Sequence, residues 1–133
     1  MICLDTTFLV DLWREKDRHL SAARALIAAH PGEDFAVPAH AAGEFLEGGA
    51  GISERRLAES LAFLRLFAIG DVGLETALRF ARLVARLRHD STLVGRSKPD
   101  LWIAAWAIEH SARLATRNLR HFDGIPGLEL IAY

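Results

Sequence analysis

Met1-Ile2-Cys3-Leu4-Asp5-Thr6-Thr7 opens the chain, and its reading decides the fold. Met1 to Leu4 is a short apolar run without polar alternation, the pattern of a strand buried on both faces. Asp5 closes it at the carboxyl end, where open parallel sheets place their ligand crevice. A second run, Leu114-Ala115-Thr116, is followed by Arg117-Asn118 and puts Asn118 in the same kind of position. Phe35-Ala36-Val37, Phe67-Ala68-Ile69 and the closing stretch Leu128 to Ala132 read as further strands.

Helical patterns fill the spaces between these strands. Thr6 to Arg14 carries Phe8, Leu9, Leu12 and Trp13 on one stripe, and a second helix is expected from about Asp17 to His30, ended by Pro31-Gly32. Pro38 suits a first helical position, and that helix holds Glu44, Phe45, Leu46 and Glu47 before a break at Gly48-Gly49. Ser53 caps the next helix, which continues through Leu57, Leu61 and Leu64. Gly73 to His89 is a long amphipathic helix, with Leu74, Leu78, Ala81, Ala85 and Leu87 expected inward and Arg79, Arg82 and Arg86 on the other side. After a polar loop from Asp90 to Lys98, Pro99 starts a helix with Trp102, Ile103, Trp106 and Ala107 as its inner face. Strands alternating with helices imply right-handed crossovers. The expected fold is a three-layer α/β/α domain over residues 1–133, with a mostly parallel central sheet of four to five strands.

Composition narrows the classes of function. Hydrophobic residues make up 51% and charged residues 25%, a globular balance with enough apolar excess for a full core and some partner-facing surface. A net charge of −1 provides no global field for nucleic acid, so a polyanion requires a local patch or a metal. The single cysteine, Cys3, rules out an internal disulfide and reads as a buried thiol. The six histidines show no ligand spacing, which argues against zinc. Phosphate-cradle loops, a dinucleotide fingerprint and a nucleophile elbow are all missing from the sequence. No apolar run approaches a membrane span and no signal peptide is visible, so a cytoplasmic protein is expected.

Asp5, Glu44, Asp100 and Asn118 are the candidate site residues, and each also has a plain structural role open to it. Asp5 and Asn118 are good helix caps, Glu44 is a helix-face acid with Glu47 as its competitor, and Asp100 in a first turn favours the helix dipole. Three carboxylates in one crevice repel one another, and a hard divalent cation relieves the repulsion. Carboxylate-held Mg²⁺ or Mn²⁺ is a common device for cutting phosphodiesters. The Thr116 hydroxyl is a candidate to orient either a metal-bound water or the Asp5 carboxylate, while Arg96, Lys98 and Arg117 neighbour the site in sequence and are candidates for touching a substrate backbone. Trp13, Trp102 and Trp106 fit apolar helix faces better than base stacking.

With those residues in place, the chain resembles the PIN-domain ribonucleases, most closely the VapC toxin subunits of toxin–antitoxin operons. The matching stretches are Ile2 to Thr7, Gly43-Glu44-Phe45-Leu46-Glu47-Gly48, Pro99 to Ala105, Leu114 to Asn118 and the tail from Phe122 to Leu130. The resemblance implies that Asp5, Glu44 and Asp100 are metal-binding acids, which also favours Glu44 over Glu47. It makes Asn118 the fourth site position and Thr116 a supporting hydroxyl. It further implies a Mg²⁺- or Mn²⁺-dependent endoribonuclease, an RNA substrate, a VapB-like antitoxin laid across the acidic crevice, and a homodimer. Asparagine at the fourth position removes one negative charge and weakens the case for a second metal.

Two other classes share these features. A PIN-like module without catalysis would grip RNA or a protein, and metal titration distinguishes it. A metal nuclease acting on other structured nucleic acids outside a toxin system shares the chemistry and differs only in substrate.

Overall fold

The computed structural model describes residues 1–14 and 18–133. Its strands are β1 (Ile2–Leu4), β2 (Phe35–Pro38), β3 (Ala68–Gly70), β4 (Arg113–Thr116) and β5 (Leu130–Ala132). The helices are α1 (Thr6–Trp13), α2 (Arg18–Ala29), α3 (Ala39–Ala50), α4 (Glu54–Leu64), α5 (Leu74–His89), α6 (Lys98–Glu109) and α7 (Leu119–Phe122). The expected start of the second helix at Asp17 lies outside the described residues.

All strand pairings are parallel, in the order β3-β2-β1-β4-β5. The chain steps outward from β1 through β2 to β3, then crosses back to β4 and β5. Right-handed crossovers therefore put α1–α4 on one face of the sheet and α5–α7 on the other. The order reverses between β1 and β4, which makes their carboxyl ends the topological switch point. Leu4 pairs with Ala115, so one residue further along Asp5 stands opposite Thr116. The core is continuous across the layers: Ile2, Cys3, Leu4 and Leu114 from the central strands, Phe8 and Leu9 below, and Leu101, Ile103 and Trp106 above are all buried.

α3 and α5 depart from expectation. α3 does not stop at Gly48-Gly49 but runs on to Ala50. Gly49 lies against α4, where an added Cβ would meet Ser60 Oγ at 2.6 Å and the Arg56 carbonyl oxygen at 3.1 Å. The missing side chain serves helix–helix contact rather than termination. The turn at Gly51 ends the helix instead, its N–H donating to the Glu47 carbonyl at 2.9 Å.

α5 turns most of the expected inner stripe outward. Leu74, Leu78, Ala81 and Ala85 face solvent, with Leu74 87% exposed, while Thr76 and Leu83 are buried and Leu87 is buried as expected. The helix carries two apolar stripes, and α6 selects between them. Phe80 stacks on Trp102 with centroids 4.2 Å apart, and the Thr76 hydroxyl donates to Glu109. The tryptophans are packing residues, as expected: the Trp106 indole N–H donates to the Asp71 carbonyl at 3.0 Å, and Trp13 packs edge-on against Phe45 and Phe63. Among the described residues no helix is long and apolar enough to cross a membrane.

Candidate active site

Asp5 leaves β1 in an extended conformation and caps α1, accepting the Phe8 N–H at 2.7 Å. That bond satisfies one of the orphan donors of the first helical turn. It also fixes the carboxylate at the switch point, so capping and a site role occupy the same side chain. Asp5 is buried, and this desolvation pushes its carboxyl up to about 6. Bonds from Phe8 N–H and the Thr116 hydroxyl pull the other way, while the charges of Asp100 and Asp11 add to the rise.

Thr116 ends β4 fully buried and accepts the Asn118 N–H at 3.0 Å. A hydroxyl has one hydrogen to give, and an ionised carboxylate only accepts, so that hydrogen goes to Asp5. Asn118 precedes α7 but makes no side-chain cap. Its amide nitrogen donates instead to Thr7 Oγ1 at 3.1 Å, which ties the start of α7 to the start of α1. Among the described residues nothing donates to its amide oxygen.

Glu44 comes from the second turn of α3, half-buried, and accepts the Thr6 hydroxyl in a short hydrogen bond. Glu47 is exposed, which separates the two competitors by environment. Asp100 is the third residue of α6. Its N–H donates to the Ser97 hydroxyl cap at 3.2 Å, and its Oδ2 lies 3.1 Å from His121 Nδ1. The helix begins at Lys98, one residue before the expected proline start, because Ser97 supplies the cap.

The structure thus brings Asp5, Thr116, Asn118 and Asp100 to the carboxyl ends of β1 and β4, while Glu44 is linked to this group only by its bond to Thr6, the residue after Asp5. Among the described residues no three acids, histidines or cysteines sit close enough together to form a ready metal cluster. The donor chemistry nonetheless fits a hard cation: the oxygens are carboxylates, and Asp5 is a buried acid whose charge is opposed by Asp100.

Two expected substrate contacts are otherwise engaged. Arg117 is bound to Asp11 by Nε–Oδ2 and Nη2–Oδ1 contacts of 2.6 and 3.3 Å. Arg96 donates to the backbone carbonyls of Thr92, His121 and Asp123. Asp11, Tyr133 and His121 were not anticipated. Asp11 had a visible signal, an acid three residues after Phe8 on an apolar helix stripe, but its partners lie at the other end of the chain.

The fold and the acids at its switch point define a parallel α/β domain of the PIN type. The sequence profile of the PIN domain matches residues 2–128, and the chain belongs to that family. It is 34% identical over 83 residues to Ribonuclease VapC1 of Rickettsia felis, an alignment covering 59% of this chain and 60% of that relative's length. The VapBC2 complex of Rickettsia felis, bound to a DNA fragment from its promoter, superposes with a TM-score of 0.80 at 25% identity. That match covers 100% of this chain and 99% of the solved one. FitAcB of Neisseria gonorrhoeae shares the fold at a TM-score of 0.82 and 22% identity, covering 98% of this chain and 96% of the other.

Proposed function

We propose that this protein is a metal-dependent endoribonuclease and the toxin of a VapBC-type toxin–antitoxin pair. The observation that carries the reading is Asp5, a buried carboxylate fixed at the switch point by Phe8 and Thr116 and opposed by Asp100. A group so placed is costly for folding alone and apt for a cation. Membership of the PIN family and the 34% identity to Ribonuclease VapC1 support the choice of RNA.

Asp5 and Asp100 would hold the ion, and Mg²⁺ or Mn²⁺ suits their hard oxygens. Such an ion, when bound, lowers the pKa of a water and offsets phosphate charge. Thr116 keeps the Asp5 carboxylate in one orientation. Glu44 would complete or orient the shell of the ion through water, and the Asn118 amide oxygen would be a neutral donor available to it. The neutral charge of Asn118 favours one tightly held ion over two.

The partner assignments rest on surface chemistry. A groove of about 300 Å³ is lined by Val10, Trp13, Phe45 and Ile52 together with Thr6, Glu44 and Arg56. It suits an apolar segment of a VapB-like antitoxin lying toward the acids, and the solved VapBC2 complex supports a partner of that class. We also infer a homodimer in the cytoplasm.

A non-catalytic binding module is the second reading, favoured by the fact that no three of these acids, histidines or cysteines converge among the described residues. Cleavage of a pool of tRNAs and structured RNA, run with Mg²⁺, with EDTA and with Asp5→Asn, decides between them. Cutting that requires both the ion and Asp5 establishes the nuclease. Absence of cutting together with absence of Mg²⁺ binding establishes the module.

A further inference from the structure

We infer that a cationic cleft beside Asp100 is a phosphate subsite for the RNA strand, with Arg120 as its contact residue. The inference rests on the ribonuclease reading and adds to it the place where the substrate backbone is gripped. The cleft, about 350 Å³, lies between the loop preceding α6 and helix α7. Its lining is Thr92, Val94, Gly95, Arg96, Arg120 and His121.

His121 joins this cleft to the site, because the same side chain lines it and sits 3.1 Å from the Asp100 carboxylate. The ring nitrogen facing an ionised carboxylate must carry the hydrogen. The histidine therefore forms a wall shared by the acids on one side and the guanidinium groups on the other.

Arg96 and Arg120 divide the work. The guanidinium of Arg96 is fixed by the carbonyls of Thr92 and His121 at 2.9 and 2.8 Å and by that of Asp123. Those partners are dipoles, so its charge is held in place without a carboxylate to cancel it. Arg120 is exposed and makes no ion pair among the described residues. It has free donors in a fork that matches a phosphate. Arg117, the arginine next to Asn118, is instead neutralised by Asp11. The α7 side of the acids therefore offers positive charge to a polyanion. A strand with its scissile phosphate at Asp5 and Asp100 would run beside this cleft, which His121 joins to Asp100.

The test compares wild type, Arg120→Ala and Arg120→Lys in Mg²⁺-dependent cleavage, and measures binding of a short single-stranded RNA across a salt series in the Asp5→Asn background. Thermal melts of each variant check folding. Arg120→Ala is expected to raise KM about three- to tenfold with kcat changed by less than about twofold. The slope of log K against log salt becomes shallower by about 0.7, the amount for one single-strand phosphate contact. Arg120→Lys recovers most of the loss, and Mn²⁺ binding by the isolated protein is unchanged. An unaltered KM and slope in Arg120→Ala, with wild type cleaving normally, overturns the subsite and leaves the nuclease reading standing. RNA binding that depends on Arg120 in a protein that never cleaves keeps the subsite and removes the nuclease. Absence of both cleavage and RNA binding removes both. Equal weakening of poly-glutamate peptide and RNA binding marks a general anion patch and also overturns the proposal.

Discussion

Arg117 Nε donates to Asp11 Oδ2 at 2.6 Å, joining residues 106 positions apart in the chain. The pair fastens the connection between β4 and α7, Arg117 and Asn118, onto the buried side of α1. Tyr133 completes it, donating its hydroxyl to the same Asp11 oxygen at 2.8 Å while its ring packs edge-on against Phe8. Burial and this bond push the Tyr133 phenol well up, so it stays a donor, and Asp11 raises the Arg117 guanidinium in the same sense.

The two halves of this pair differ in what each leaves behind. Asp11 is fully buried, whereas Arg117 is about a third exposed. Arg117→Ala strands a buried carboxylate and is expected to cost about 2–4 kcal/mol. Asp11→Asn leaves a cation that water can reach and keeps an acceptor for Tyr133, so about 1–2 kcal/mol is expected. Urea denaturation of both single variants and the double variant checks this order. Equal costs would show that the pair does not hold the loop in the way described.

Asp5 links activity to stability. Its carboxyl stands at about 6 in the fold against 3.8 for the free side chain, a difference worth about 3 kcal/mol. The folded form holds its proton more tightly, so the charge penalty is absent below about pH 4, grows as pH rises through 6, and is complete at pH 7. Asn preserves the cap on Phe8. Asp5→Asn is therefore expected to match wild type near pH 4 and to exceed it by about 1–3 kcal/mol at pH 7.5 while losing cleavage. Melting curves of the two proteins from pH 4 to 8 give the comparison; parallel curves would remove the buried-charge explanation.

Ion binding should offset the same penalty. At a hundred times its Kd, Mg²⁺ is expected to stabilise wild type by about 2.7 kcal/mol. Asp100→Asn should abolish cleavage and most of this gain, with Glu44→Gln intermediate because Thr6 also holds Glu44. Thermal shifts with and without EDTA supply the readout. A full Mg²⁺ response in Asp100→Asn would exclude that residue as a ligand.

Neighbouring glycines in α3 should respond oppositely to alanine. At Gly48 an added Cβ meets nothing within 4 Å, and the helix gains up to about 1 kcal/mol from propensity. At Gly49 it strikes Ser60 Oγ and the backbone of Arg56, and a net loss of about 1–2 kcal/mol is expected. Chemical denaturation of the two variants tests the contact. A stabilised Gly49→Ala protein would return that glycine to the role of a helix breaker.

Legibility in the sequence followed the range of the interaction. The strands were readable because parallel strands covered on both faces become short apolar runs, and Asp5 and Asn118 were readable because each follows such a run. Glu44 was separated from Glu47 by resemblance to a family rather than by period, and the burial difference appears only once α3 packs beside α1. His121 gave no signal, since a lone histidine in a four-residue helix has no pattern of its own. Arg117 beside Asn118 pointed toward substrate, and only the distant Asp11 turned it inward.

The sequence by itself determined the order of elements, the parallel α/β class and the acids at the strand ends, because strand burial, helix caps and proline positions are local constraints. The tertiary structure decided which stripe of α5 faces the core, why Gly49 is small, and which arginines remain available to a ligand. Those outcomes depend on partners supplied from elsewhere in the chain: Trp102 and Glu109 for α5, Ser60 for Gly49, Asp11 for Arg117. A helix with two apolar stripes, or an arginine with a free fork, carries no local preference strong enough to choose among them.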